Sequence, residues 1–556
     1  MLQGESCLKI KILSSLVKVF PNEEPLDSGC SRLIAKNERL NFQIAIYNFS
    51  KSLMGFMKVK VKGDIANSVT LRNVDLVPMP MFALAEDMGD DYYLGEKAGL
   101  YPDVLSPIDE LGVTIPFKQW RSVFVSVEDV NGLAVGEHQL TFEKYNEKDK
   151  KIDEISYSFE VVDFKLEELD LVVTNWMHYD CIVQKHGVEL FSDEFYQVFE
   201  NYLEYYLSAG NNTLLVPLFT PPLDTQIGSE RLTAQLVKVN FIDGEYTFDF
   251  TQLRRFISFV MKKGVKFLEF SHLFTQWGGE HCPKIMATTS EGEKRIFGWE
   301  TDAHGEEYTR FLTEFLPKLK AELIRLKVDK KCFIHLTDEP SGEHIESYKK
   351  SREVVKPLIG DIPIMDALSD YGFYELGLVD IPTAITSSYD EQFSKHGVND
   401  IFVYYCCIPS DKYYSNRFIS MPPLRSRILG FQLYASGVKG FLHWGFNFFQ
   451  SKLSIREIDP YTTTDAYGFF PSGDAFIVYP TKKGLKGSLR LEYLRESFQD
   501  YRALKQLESL IGRENVLMQL SEWGLKGFCE YPRCDKTFVE FREKLYERIK
   551  LLKNKG

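Results

Sequence analysis

The feature that most limits how this chain can fold is a rhythm that begins after Leu166, in which a short apolar strand and a helical stretch alternate. The strand candidates are Leu169 to Asn175, Thr213 to Leu218, Val265 to Phe270, Cys332 to Thr337, Ile362 to Ala367, Thr383 to Ser387, Ile401 to Tyr405 and Gly440 to Trp444. Between them apolar residues recur three and four apart, as on a helix with one buried face. Phe195, Phe199, Tyr202 and Tyr206 form one such stripe, and Tyr308, Leu312, Phe315, Leu319 and Leu323 another. The fifth and sixth helices, near Tyr371 and Glu391, are short. Eight strand–helix units over roughly 340 residues suit a (β/α)8 barrel with loop insertions. A doubly wound open sheet is the rival, but no Gly-rich phosphate loop follows an early strand.

Residues 1–165 have a different texture. Leu8 to Ile12 and Met57 to Val61 alternate apolar and basic residues, and Val123 to Val127 is a β-branched run. Further short strands are expected near Asn41 to Tyr47, Val69 to Val77, His138 to Glu143 and Ser156 to Val162. Many half-buried strands without helices predict a β-sandwich. Ala83 to Pro116, which contains Glu86-Asp87-Met88-Gly89-Asp90-Asp91-Tyr92-Tyr93, reads as a long loop leaning toward a functional surface. The division expected is thus a β-sandwich over 1–165, a catalytic barrel over 166–510 and a helical extension over 511–556. That extension carries Phe538, Phe541, Leu545, Ile549 and Leu552 at helical spacing and packs on the barrel.

Length and charge narrow the function classes. A chain of 556 residues exceeds one ordinary core. Its 79 acidic residues outnumber 66 Lys and Arg, giving −13, which argues against nucleic acid or an anionic membrane as partner. No apolar run is long enough to span a bilayer. The start, MLQGESCLKIKILSS, lacks a basic then apolar leader, and nine irregularly placed cysteines do not form a disulfide framework, so a reducing cytoplasm is expected. Cys406 and Cys407, read as strand neighbours, should point to opposite faces. Cys529 and Cys534 have no second pair to complete a zinc site, and no spacing of His178, His186, His272 and His281 supports a metal. No cofactor is expected.

In a barrel, chemistry sits where strands end. The fourth strand runs into Asp338-Glu339-Pro340. Two adjacent carboxylates repel each other. Pro340 disfavours helical geometry at Glu339, so the strand should stop there and both side chains can reach one pocket. Glycoside hydrolysis needs one carboxyl to protonate the leaving oxygen and another group to stabilise charge at the anomeric carbon. The residues alone leave an equal alternative, a solvated Asp-Glu ahead of a helix capped by Ser341. Other strand-end residues are Trp444 as an apolar floor under a sugar, Tyr405 as a bond to an acetamido carbonyl, and Asn447 as polar lining. His272, Gln276 and Trp277 follow the third strand beside Gly278 and Gly279, and Trp176, Tyr179 and Asp180 follow the first. His335 reads as a satisfied barrel histidine.

His335-Leu336-Thr337-Asp338-Glu339-Pro340 resembles the strand-end motif of glycoside hydrolase family 123, a family of β-N-acetylgalactosaminidases and their relatives. The likeness continues through Tyr404-Tyr405-Cys406-Cys407, Pro422-Pro423-Leu424-Arg425-Ser426-Arg427 and Gly440-Phe441-Leu442-His443-Trp444-Gly445-Phe446-Asn447. Asp459-Pro460-Tyr461, the run from Gly473 to Pro480, Leu489 to Glu496 with Asp500-Tyr501, and the earlier Tyr101-Pro102-Asp103 also resemble the family. The resemblance implies a β-sandwich followed by a barrel and a retaining, substrate-assisted mechanism acting on an oligosaccharide or glycoconjugate. Asp338 would then orient the substrate's 2-acetamido group and remain ionised, while Glu339, with its pKa raised, would be general acid and then base. A glycosidase for a sugar without an acetamido group and a carbohydrate-binding barrel without catalysis are the alternatives.

Overall fold

The structure, a computed structural model, describes residues 8–26, 29–49, 56–84, 90–110, 112–146 and 148–554. Eight parallel strands form one sheet: Val172–Asn175, Thr213–Val216, Phe267–Phe270, Cys332–Ile334, Met365–Ala367, Ile381–Ile385, Phe402–Tyr404 and Gly440–His443. Numbered in that order, they lie side by side as 4-3-2-1-8-7-6-5. A single parallel bridge, Ile334 to Ile364, with the Ile334 N–H donating to the Pro363 carbonyl at 3.0 Å, brings the fourth and fifth strands together. The result is a nearly closed parallel barrel.

The strands are shorter than their apolar runs because their last residues bond elsewhere. The Leu336 N–H, for example, donates to the Asp366 carboxylate at 3.0 Å rather than to a neighbouring strand. Side chains fill the barrel in two apolar layers. Phe333, Met365 and Phe402 form one, and Trp176, Leu215, Ala367, Ile385, Tyr404 and Leu442 the other. Gly440 admits the first layer, since a Cβ there would lie 2.6 Å from the Phe402 ring. Outside the strands, amphipathic helices such as Asp193–Ser208, Thr251–Lys263 and Glu306–Arg325 bury the predicted aromatic stripes.

The N-terminal region contains two further sheets sharing one core, in which Phe42, Ile44, Val123 and Val125 of one sheet pack against Leu140, Phe142, Phe159 and Val161 of the other. The seven-stranded sheet runs Leu8–Ser14, Leu40–Asn48, Trp120–Val127, Val69–Met79, Gly99–Pro107, Leu485–Ser488 and Tyr479–Pro480. Its last two strands therefore come from the far end of the barrel segment.

Two expectations need correction. Within Ala83 to Pro116, Gly99–Pro107 is a nine-residue strand and Val113–Thr114 a short one. Pro102 and Pro107 disguise the longer strand, because proline argues against an interior strand unless it sits at an irregularity. Pro102 does so, pairing with Leu76 beside a register shift. The segment Glu86-Asp87-Met88-Gly89 lies outside the described residues. The second correction is an unforeseen four-stranded sheet of two hairpins, Lys238–Ile242 with Glu245–Asp249 and Ile285–Thr289 with Gly292–Phe297, set between barrel elements.

The helix Leu489–Ile511 joins the barrel to the N-terminal sheets. Ser488 caps it, its hydroxyl accepting from the Leu491 N–H. Buried charges on this helix are answered from both sides of the junction. Arg490 meets Asp103 at 2.9 Å, Glu492 meets Arg72 at 2.7 Å and Arg39 at 3.1 Å, and Asp500 meets Arg427 at 2.7 Å and Arg542 at 3.0 Å. The closing helix Asp535–Lys553 buries Phe538, Leu545 and Ile549, and it also reaches the N-terminal region through Lys550 and Glu160. No helix among the described residues is long and apolar enough to cross a membrane.

Candidate active site

Past Ile334 the fourth strand peels off the sheet and is held by specific bonds. The Thr337 hydroxyl donates to the Thr275 carbonyl at 2.6 Å, the Trp277 N–H donates to the Asp338 carbonyl at 2.9 Å, and the Glu339 N–H donates to the Ala367 carbonyl at 3.0 Å. Glu339 then takes a left-handed conformation, φ +47°. Pro340 disfavours the right-handed helical region for the residue before it and would by itself favour an extended one, so the left-handed conformation is held by the bonds on either side. A non-glycine residue in that region costs about 1–2 kcal/mol, which the flanking bonds offset. Ser341 and His344 cap each other's turn, and the helix begins at Ile345. Neither carboxylate is used as a cap.

Asp338 and Glu339 instead line a cavity of about 280 Å3 at the strand ends. Trp176, Ala367, Tyr404 and Leu442 of the upper barrel layer form its floor, and Trp444 and Phe470 stand at one side. Asp224, Gln276 and Trp277 line it as well, with Leu84 from the N-terminal region. Cys406, Cys407, Lys452 and Phe469 complete the lining. The mostly apolar lining with a few convergent polar groups is typical of small-ligand sites.

Glu339 is open to solvent at the mouth and Asp338 is half-buried, but both carboxyls are recessed among protein atoms. Burial raises the pKa of each. For Asp338 the adjacent Glu339 charge adds to the effect and lifts it well above the usual carboxylate range, with the His335 charge opposing. The Tyr404 hydroxyl donates to Glu339 Oε1 at 2.9 Å and partly offsets the rise there. No salt bridge reaches either carboxylate among the described residues. The pair therefore titrates as a unit that retains a proton above the normal range. The expectation that Asp338 simply stays ionised does not suit these surroundings. Asp224 is a third carboxyl in the cavity, pushed up to about 6 by burial, although the Leu453 N–H donates to it at 2.8 Å.

Beneath the floor lies a buried ion network. His335 donates from Nε2 to Glu269 at 2.5 Å and from Nδ1 to Asp366 at 3.0 Å. Burial alone would discharge the imidazole, but the two carboxylates prevail and lift it to about 10. The Trp176 indole N–H donates to the same Glu269 oxygen at 2.7 Å, and the Tyr348 hydroxyl donates to Asp366 at 2.5 Å. His272 stacks on His335 with ring centres 4.3 Å apart and is held neutral by burial and by that charge. Ligating atoms of His272, His335 and Asp366 lie within 4.8 Å of one another. With both nitrogens donating, His335 has no lone pair for a metal, so the cluster reads as an ion network. Trp444 is held similarly, its indole N–H donating to buried Asp474 at 3.1 Å.

Of the residues singled out from sequence, Asp338, Glu339, Trp176, Trp277 and Trp444 come together in the cavity. Tyr405 does not, because its ring packs on Phe441 and His443, and its neighbour Tyr404 takes the cavity position. Asn447 is spent on the backbone of His178, accepting from its N–H at 2.9 Å and donating to its carbonyl at 3.0 Å. His272 lies under the floor, edge-on to Trp176. Cys406 and Cys407 do not point to opposite faces; both line the cavity, with sulfurs 3.9 Å apart, because the strand ends at Tyr404. Gln276, expected beside Trp277 after the third strand, joins them in the lining, whereas Tyr404 and Asp224 are not among the site residues expected from the sequence. Tyr404 alone had a signal, through the alternation that pairs it with the other inward residues.

Among solved structures, the chain is similar to a family 123 glycoside hydrolase from Clostridium perfringens, studied for glycolipid glycan hydrolysis. The two share 15% identity with a TM-score of 0.72, and the match covers 98% of each chain. At that identity the likeness speaks for the fold. A putative β-galactosidase from Bacteroides fragilis matches at 11% identity and TM-score 0.31, over 88% of this chain and 60% of the other. A β-glucuronidase from Parabacteroides merdae matches at 11% and 0.31, over 89% and 52%. No curated protein sequence matches the chain. The family model described as glycoside hydrolase 123, catalytic domain, matches residues 176–507, a span that begins just after the first barrel strand and contains the other seven, together with most of the cavity lining and both adjacent carboxylates; the chain belongs to glycoside hydrolase family 123.

Proposed function

We propose that this hydrolase removes a terminal β-linked N-acetylgalactosamine, or a related N-acetylhexosamine, with retention, using the substrate's own 2-acetamido group as nucleophile. The observation that carries the reading is the placement of adjacent Asp338 and Glu339 in one cavity with unlike surroundings. Glu339 at the mouth holds a proton raised by burial and donates it to the leaving oxygen, then acts as base toward water. Asp338 orients the acetamide. Positive charge developing on the cyclising amide draws Asp338 to its ionised form, so the stabilisation grows as the reaction proceeds. Trp176 and Trp444, fixed by Glu269 and Asp474, supply aromatic faces to the sugar ring. We read the N-terminal sheets (1–165) as an accessory β-sandwich, 166–510 as a catalytic (β/α)8 barrel and 511–556 as its helical extension. The substrate is an oligosaccharide or a glycoconjugate, as suggested by the glycolipid glycans of the Clostridium relative.

A panel of aryl β-glycosides with and without a 2-acetamido group tests this reading. Cleavage confined to acetamido sugars is expected, with tight binding of a thiazoline mimic that weakens in Asp338→Asn. Turnover of sugars lacking the acetamido group, or thiazoline binding unaffected by Asp338→Asn, would overturn it.

A further inference from the structure

Cys406 and Cys407 are adjacent in sequence, their sulfurs are 3.9 Å apart, and both line the catalytic cavity. Their backbone is pinned. The Cys406 N–H donates to the Ile408 carbonyl at 2.9 Å, and the Asn416 amide donates to the Cys406 carbonyl at 2.9 Å. Two uses of such a pair can be weighed by distance. A disulfide needs sulfurs at about 2.05 Å and Cα atoms usually about 4.4–6.8 Å apart. Consecutive Cα atoms are only about 3.8 Å apart, so a ring closed here would be strained and easily reduced. A tetrahedral thiolate cation has metal–sulfur bonds of about 2.3 Å, which sets its two sulfurs roughly 3.8 Å apart. The observed spacing already matches that bite.

We propose that Cys406 and Cys407 form a two-thiolate site for a soft divalent cation of the zinc and cadmium type in the wall of the catalytic cavity, and that occupying it switches the hydrolase off. Binding forms two metal–sulfur bonds in place of two metal–water bonds and releases the two thiol protons to solvent, with no change of oxidation state. Both thiols must lose their protons to bind, so binding strengthens as pH rises. The switch rests on the proposed role of Glu339. The Glu339 charge already acts on Cys406, and Tyr404, which bonds Glu339, lies two residues from that thiol. A dication here favours the carboxylate form of Glu339 and removes the proton the leaving group needs.

Cadmium titration of the full-length protein, followed by the ultraviolet thiolate-to-cadmium band, tests the site without reference to activity. The wild type should show a band that grows with pH and loses one equivalent in Cys406→Ser/Cys407→Ser, while Cys529→Ser/Cys534→Ser keeps that equivalent. Because serine variants can fold poorly, iodoacetamide mapping of the unmutated protein provides a second measurement. Cadmium should shield both Cys406 and Cys407 from alkylation. Full band amplitude in the double variant, or unshielded thiols, overturns the site. One bound equivalent should cut turnover about tenfold or more, the change in acid form expected for one pKa unit, and restoration by a chelator is expected. Binding with unchanged turnover overturns the switch. A metal-free protein that cleaves no acetamido glycoside counts against the proposed function, leaving the thiolate site to be judged by its band.

Discussion

Buried carboxylates behave in opposite ways in two regions of this molecule. At the junction between the barrel and the N-terminal sheets, burial alone would raise the pKa of Glu492, but Arg72, Arg39 and Arg495 hold it well below the usual range. In the cavity, Asp338, Glu339 and Asp224 are also recessed, none of them forms an ion pair among the described residues, and all three are raised, although Arg231 and Lys452 pull on Asp224 from a distance. The residue types are the same and burial pushes in the same direction. What differs is whether a cation has been placed alongside. At the junction the charge is fixed and serves cohesion; in the cavity it is left able to change, as proton transfer requires.

The same substitution should therefore do opposite things in the two places. Glu492→Gln takes from the largely buried Arg72 its carboxylate partner and leaves Arg39 only Glu128. It should cost about 3–5 kcal/mol of stability, read by urea unfolding. A loss under about 1 kcal/mol would mean the junction is wetter than its packing suggests. Glu339→Gln should leave unfolding almost unchanged yet slow hydrolysis about 10²–10⁴-fold. The loss should shrink for aryl glycosides whose leaving group hardly needs a proton, and a uniform loss across leaving groups would count against the acid role.

Smaller effects follow from the groups that tune the cavity. Tyr404→Phe removes the hydroxyl that favours the Glu339 carboxylate. A hydrogen bond to a charged group is worth about 1.5–3 kcal/mol, so the limb of the pH–rate profile that reports the protonated acid should move to higher pH by about one unit or more. An unmoved or lowered limb would assign that limb to another group. The smallest effect is expected from Asp224→Asn. Asp224 has a folded pKa of about 6 against about 3.9 in an unfolded chain, so its contribution is most favourable below the lower value and is lost as pH rises through the higher. Glu492, depressed on folding, contributes above its unfolded value and loses that contribution as pH falls. Asp224→Asn should flatten stability between about pH 4 and 6 by less than the roughly 2.8 kcal/mol that about two pKa units give in full, since Asp224 is partly exposed. Glu492→Gln should remove acid sensitivity instead.

The barrel was legible because parallel strands covered on both sides read as continuous apolar runs, and all eight candidates occupy one sheet. Their ends were not legible, because distant groups such as Asp366 decide where each strand leaves the sheet. That uncertainty caused the misplacements. At Tyr404-Tyr405 the choice of inward residue depends on phase, and beyond Tyr404 the alternation no longer governs Cys406 and Cys407. Asp338 and Glu339 stood out because an adjacent carboxylate pair at a strand end is chemically unusual, whereas Asp224 sits in a loop with nothing local to mark it. The hairpin at Asp243-Gly244 carries its own mark in the sequence. Asp-Gly between alternating strands is a strong turn signal, and both residues have positive φ.

The strand Leu485–Ser488 has a consequence for how the protein is made. It covers the edge of Gly99–Pro107, which emerges from the ribosome long before it. At roughly 5–20 residues per second, tens of seconds separate the two strands. Throughout that interval the N-terminal sheet has a row of unpaired backbone groups open to any passing strand. Slow translation or truncation before Leu485 should therefore favour aggregation through that edge, and a recombinant N-terminal fragment would need its own cover there to remain monomeric.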